Sequence, residues 1–174
     1  NNTIGGTSSG ARNVISGNEN DGVGIEGGGA TGNTVQGNYI GTQINGDSPL
    51  GNGRHGVHIG ESARDNTIGG TDPGAGNTIA FNDGDGVHVG SGTRNRIDPN
   101  SIFFNGHDDD DLGIDLDGHG VTANDDGDPD TGPNKLQNFP EMEFARITGG
   151  NLWIRYLVDS TTGNSAYPLS LSLI

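Results

Sequence analysis

Asp126, Asp128 and Asp130 stand at alternate positions in the stretch NDDGDPDTGPN, with Gly127 and Gly132 to let the chain curl. Carboxylates spaced in this way present oxygen ligands to a hard cation, and calcium is the cation they suit. Asp125 adjoins them, and an earlier run from Asp108 to Asp111 offers Asp108 and Asp110 as further candidate ligands. An EF-hand needs Gly at its sixth position and Glu at its twelfth. Thr131 and Gln137 occupy those places, so the expectation is an irregular Asp-rich calcium loop. The competing reading is an acidic loop without metal, because runs of like charge stay hydrated.

A second set of chemistry-bearing residues emerges from four copies of one short motif, Gly-(Val/Ile)-x-(Ile/Val/Leu). The copies begin at Gly22, Gly56, Gly86 and Gly113, and x is Gly24, His58, His88 and Asp115. In a strand the apolar residues flanking x point one way and x points the other. If the copies stack, neighbouring strands lie about 4.8 Å apart, and His58, His88 and Asp115 form a column on a solvent-facing sheet. Two imidazoles and a carboxylate can ligate zinc or iron, or work as an acid–base pair. Against this, outward positions are polar by default, and a flat sheet lacks the enclosure of most metal sites. GVGIEG at residues 22–27 also fits a dinucleotide-binding pattern. No helix follows it, so the match is accidental.

These residues are positioned by a repeat. Asn-x-(Ile/Val) recurs at Asn2, Asn13, Asn33, Asn66, Asn77 and Asn95, and NTIGGTSSGARNVISGN is echoed by NTIGGTDPGAGNTIAFN. Coils starting at Asn2, Asn33, Asn66 and Asn95 each hold three short alternating segments, with Gly, Asn and Asp between them as turn residues. Three strands per coil describe a parallel β-helix. Its inward residues are expected to be Ile4, Ile15, Val23 and Ile25, then Val35, Ile40, Val57 and Ile59. Ile68, Ile79, Val87 and Val89 follow, and then Ile97, Ile102, Ile114 and Leu116. The recurring Asn33, Asn38, Asn77, Asn82, Asn95, Asn100 and Asn105 are expected at bends, in left-handed conformation or in stacked amide ladders.

The solenoid resolves a difficulty of composition. Of the 174 residues only 28% are hydrophobic, 34 are Gly, and the net charge is −15. A chain of this kind has little apolar surface with which to offset ordering entropy unless each coil needs only a few apolar residues. The charge argues against nucleic acid as a partner and favours cations. The absence of Cys excludes disulfides and thiolate chemistry. No apolar run is long enough to span a bilayer, so no membrane insertion is expected. Asn1 begins directly in a motif, which suggests a fragment or processed form.

The motifs IGGTxxGAxN, NxVxGNxIGT, NGxxGVxI and GIDLxGxGVTxND…GDxDTGPNxLQNFP cover residues 1 to about 140. Together they resemble the right-handed parallel β-helix repeat proteins of large bacterial extracellular and surface polypeptides, within the wider pectate-lyase-like superfamily. The resemblance implies an all-β chain: a right-handed three-sheet parallel β-helix of about four coils, then a short antiparallel β segment. It also implies a secreted or cell-surface location. It implies no single activity, since that superfamily holds polysaccharide lyases, hydrolases and epimerases as well as adhesins and tailspikes. GHG at 118–120 resembles a polygalacturonase signature, but the accompanying Asn-Thr-Asp and Arg-Ile-Lys are missing, so it reads as a turn. Basic residues to neutralise a uronate are scattered, and Lys135 is the one Lys.

Past residue 140 the repeat stops. Segments 142–148, 151–158 and 167–174 read as longer strands, the first two joined by TGGN in a hairpin. Residues 141–174 are therefore expected to cap residues 1–140 or to begin a β-sandwich, and an open strand edge there favours end-to-end self-association into a filament. The function expected is a non-catalytic structural or adhesive module, calcium-stabilised. The alternative is a carbohydrate-active or glycan-binding domain with a polysaccharide partner.

Overall fold

The computed structural model describes residues 1–118, 120–161 and 163. The first coil holds β1 (Thr3–Gly5), β2 (Val14–Ile15) and β3 (Val23–Glu26). The second holds β4 (Thr34–Gln36), β5 (Tyr39–Ile40) and β6 (Val57–Gly60). The third holds β7 (Thr67–Ile68), β8 (Thr78–Ala80) and β9 (Val87–Val89), and the fourth β10 (Arg96–Ile97), β11 (Ser101–Phe103) and β12 (Ile114–Leu116). They assemble into three parallel four-stranded sheets, ordered β1-β4-β7-β10, β2-β5-β8-β11 and β3-β6-β9-β12. The fold is thus an all-β solenoid of about four coils. No helix among the described residues is long and apolar enough to cross a membrane.

The apolar column runs as the alternation dictates. Val35, Ile40, Val57, Ile59, Ile68, Ile79, Val87 and Val89 are fully buried. Each such side chain contributes about 1.5–3 kcal/mol, and each packs against its counterparts in adjoining coils. Burial weakens at both ends, where a residue has a stacking neighbour on one side only. Ile114 pairs with Val87 in register, yet it remains 45% exposed. It points inward as expected and stays exposed because the column stops there.

The asparagines do more than turn the chain. Oδ1 of each accepts both the backbone N–H and the Nδ2 amide of its counterpart one coil earlier, as Asn66 does from Asn33 and Asn100 does from Asn77. Three such ladders run through the molecule: Asn2-Asn33-Asn66-Asn95, Asn13-Asn38-Asn77-Asn100 and Asn18-Asn52-Asn82-Asn105. The first gains a further rung from the exit segment, where Asn134 Oδ1 accepts the Asn95 N–H at 2.9 Å. The ladder asparagines of the coils do not adopt the left-handed conformation. In the first ladder that geometry falls on the residue before each, Gly32, Asp65 and Arg94.

The coils vary in circumference. Rungs of the second ladder lie 39 residues apart at Asn38–Asn77 and 23 apart at Asn77–Asn100. The longest excursion leaves after Gly41 and returns at Leu50, closed by Gln43 N–H to the Ser48 carbonyl and Leu50 N–H to the Gly41 carbonyl.

Beyond the solenoid, β13 (Glu141–Thr148) and β14 (Asn151–Leu157) form an antiparallel hairpin with a register shift between Met142 and Phe144. It matches two of the three segments anticipated after residue 140. The third, 167–174, and His119 of the GHG turn lie outside the described residues.

Candidate functional site

The column anticipated on the third sheet is present. Gly24, His58, His88 and Asp115 are register partners across β3, β6, β9 and β12. Its surroundings differ from the expectation of an open face. Asp115 is only 2% exposed, because the chain folds back after β12 and donates the Gly118 and Gly120 N–H groups to its two carboxylate oxygens. His58 and His88 are likewise mostly covered, with side chains 18% and 13% exposed.

The covering comes from a second column, formed by the residue before each Gly-Val motif: Asp21, His55, Asp85 and Leu112. Their side chains link successive coils. Asp21 Oδ1 accepts the His55 N–H at 3.1 Å, His55 Nδ1 accepts the Asp85 N–H at 3.1 Å, and Asp85 Oδ1 accepts the Leu112 N–H at 2.6 Å. The two columns meet at Asp85, whose Oδ2 lies 3.0 Å from His88 Nδ1 and 3.2 Å from His55 Nδ1. The three imidazoles pile against one another, with ring centroids 4.3 Å apart for His55–His88, 5.1 Å for His58–His88 and 5.9 Å for His55–His58. Donor atoms of His55, His58 and His88 lie within 4.8 Å of one another, as do those of Asp85, His88 and Asp115.

The electrostatics follow from the enclosure. Burial opposes ionisation of Asp85, but the adjoining His55 and His88 imidazoles and the Leu112 N–H outweigh it and hold its carboxyl well below the usual carboxylate range. Burial pushes the Asp115 carboxyl up, and the Asp85 charge adds to the shift. Burial also depresses His58, and its neighbours His88 and His55 pull in the same direction while Asp21 and Glu26 pull against them. The enclosure therefore favours the neutral form of His58. Its Nδ1 is buried without a hydrogen-bond partner among the described residues.

One edge of the ring pile is packed against glycines. Gly60 follows His58 by two residues, and a Cβ there would sit 2.6 Å from His58 Nε2. A Cβ on Gly90 would sit 3.0 Å from His88 Nε2, and one on Gly118 would sit 3.3 Å from the same atom. Three glycines in successive coils thus let the backbone pass close beside the Nε2 edges, where a larger residue would clash. Glu26 joins them from the first coil, with Oε1 3.8 Å from His58 Nε2.

The Asp-rich segments are arranged otherwise. Among the described residues, Asp126, Asp128 and Asp130 form no three-donor cluster of the kind the imidazoles make, nor do Asp108 and Asp110. Asp128 is buried and accepts the Asn138 N–H and the Ser160 hydroxyl, each at 3.0 Å. Asp111, not Asp108 or Asp110, organises the earlier run by accepting the His107 and Asp108 N–H groups. Asp125 is the exception. Its Oδ1 is buried without a hydrogen-bond partner among the described residues, beside a cavity of about 210 Å³ lined by Asn124, Asp125, Asp126, Glu141, Leu157 and Asp159. Desolvation, with Asp130, Asp128 and Asp126 close by, pushes its carboxyl up.

His55 and Asp85 were not singled out from the sequence, where attention rested on the x position. Aligning the residue before each Gly-Val motif would have exposed them. Comparison with known proteins adds no assignment: no family model, no curated protein and no solved structure matches this chain.

Proposed function

We infer that this chain is a non-catalytic structural or adhesive module of a secreted or surface polypeptide, of the pectate-lyase-like kind that its motifs resemble. The distribution of apolar surface carries the reading. The outward positions of the sheets are largely polar, as in the register column Thr34–Thr67, whereas the apolar surface collects at the C-terminal end. There Phe144, Ile147, Leu152, Trp153 and Tyr156 of the hairpin are exposed, and a cavity of about 500 Å³ is lined by Ile114, Leu116, Val121, Leu136 and Phe139. Such a surface suits docking end to end, into a filament or onto a neighbouring module. Calcium at the acidic cavity by Asp125 would brace the joint between solenoid and hairpin, since Glu141 and Leu157 at the root of the hairpin line it.

Trp153, 55% exposed and the sole Trp of the chain, reports on this directly. Its emission is expected to shift to the blue as concentration rises and sedimentation shows assembly, with Ile147→Lys suppressing both. A chain that stays monomeric with unchanged emission at all concentrations would remove the filament from the reading.

The enclosed group of His55, His58, His88, Asp85 and Asp115 favours a second reading, a carbohydrate-active domain in which neutral His58 serves as base. Depolymerisation or epimerisation of a uronate polymer, abolished by His58→Ala, would replace the structural reading with this one.

A further inference from the structure

We propose that His55, His58 and His88 form a binding site for a divalent transition metal of the zinc class, with Asp85 as the carboxylate that orients the imidazoles. Three observations converge. First, the three rings come from two coils and two columns, yet the fold brings their nitrogen donors within 4.8 Å of one another. A zinc tetrahedron with bonds of about 2.0–2.1 Å has edges of about 3.3 Å. Side-chain rotation covers that difference while the strand register stays fixed. Second, Asp85 Oδ2 takes His88 Nδ1 at 3.0 Å and lies 3.2 Å from His55 Nδ1. With Nδ1–H of His88 on that carboxylate, His88 Nε2 keeps its lone pair, the arrangement in which metal-bound imidazoles are held, while His55 Nδ1, which accepts the Asp85 N–H, is itself the lone-pair nitrogen of its ring. Third, His58 Nδ1 is buried with no hydrogen-bond partner among the described residues, and Gly60, Gly90 and Gly118 put no side chain of their own against the Nε2 edges of His58 and His88. A buried unpaired imidazole nitrogen costs free energy, and a bound cation would remove that cost. Asp21, Glu26 and Asp115 supply surrounding negative charge.

Soft nitrogen donors favour zinc, cobalt, nickel or copper over calcium, which takes oxygen ligands. That separates this site from the acidic cavity near Asp125. The experiment is titration of the metal-stripped full chain with Co(II) and with Zn(II), in excess calcium to fill the carboxylate sites. The expected result is one equivalent bound, with the intensified visible absorption of cobalt in a four- or five-coordinate nitrogen-rich site. His58→Ala and His88→Ala are expected to abolish that absorption. Asp85→Asn should weaken binding roughly 10- to 100-fold, as loss of an orienting partner does. His107→Ala, an exposed imidazole near Asp83 and outside the cluster, should leave binding unchanged. Circular dichroism checks that each variant folds, and His55→Ala replaces any that does not. The proposal is overturned if the folded wild-type chain takes up neither metal, if calcium displaces them, or if uptake survives both His58→Ala and His88→Ala. The structural reading does not depend on this outcome, since assembly and uronate turnover are measured separately.

Discussion

Asn77 Oδ1 accepts the backbone N–H of Asn38 at 2.9 Å and its side-chain amide at 3.1 Å, across 39 residues of sequence. Asn77 Nδ2 in turn donates to the Val35 carbonyl and to Asn100 Oδ1, all of it out of contact with water. Asn77→Ala strands the buried Asn38 N–H and takes one partner each from Asn38 Nδ2, the Val35 carbonyl and Asn100 Oδ1, which keep others. At about 1–3 kcal/mol for an unsatisfied group, partly relieved by rearrangement, the expected loss is roughly 3 kcal/mol in urea unfolding. Asn2→Ala removes a rung exposed to solvent and should cost under about 1 kcal/mol.

Gly41 tests the closeness of the coils. Its φ of +84° belongs to the left-handed region, and a Cβ there would lie 2.0 Å from the Ala80 carbonyl oxygen of the next coil. Gly149 in the hairpin turn has φ +60° and open space around it. Gly149→Ala should cost only the conformational penalty, about 1–2 kcal/mol. Gly41→Ala adds a backbone clash, so its melting temperature should fall well below that of Gly149→Ala.

The imidazole–carboxylate group sets an acid limit on stability in the metal-free chain. His58 lies below its ordinary 6.5 in the folded state. The folded form therefore prefers the neutral ring, and the stability this supplies is full above pH 6.5 and lost as pH falls below it. Asp85 lies below its ordinary 3.8, so its share is full above 3.8 and lost on further acidification. Asp115 is raised and acts in the opposite sense: its ionisation weakens the fold as pH rises through its folded value. Chemical denaturation from pH 8 to pH 3 should show stability falling from about pH 6.5. Asp21, Glu26, His55 and His88 face His58 and modulate the slope. His58→Gln should flatten the upper part of the curve; an unchanged curve would assign the dependence elsewhere.

Asp125 is expected to answer to calcium. Without the ion its carboxyl is desolvated and faces Asp130, Asp128 and Asp126. Asp125→Asn should therefore raise the melting temperature in EDTA and diminish the gain on adding calcium. A wild-type melting temperature indifferent to EDTA would exclude calcium bracing.

The solenoid was legible because its signals are local and repeated: alternating Ile and Val mark the inward column, and Asn-x-Ile marks each coil start. His58, His88 and Asp115 fell into register for the same reason. The burial of Asp115 was not legible, since it depends on Gly118 and Gly120 folding back after the last strand. Nor was the rung supplied by Asn134, which reaches Asn95 from an irregular segment with no repeat to announce it. The roles of His55 and Asp85 lay between these cases. They occupy a repeated position, but one in the turn before the strand, where side-chain direction is not set by alternation.

The unequal coils bear on what this architecture can carry. Ladder and register fix the positions of the rungs along the axis, while the spacing between rungs in sequence ranges from 23 to 39 residues. Residues added between Gly41 and Leu50 project sideways and leave the stacking above and below untouched. The perimeter is thus a place where sequence can be written without editing the axis. Segments grafted there would be displayed at a height set by the coil that bears them, like marks on a ruler.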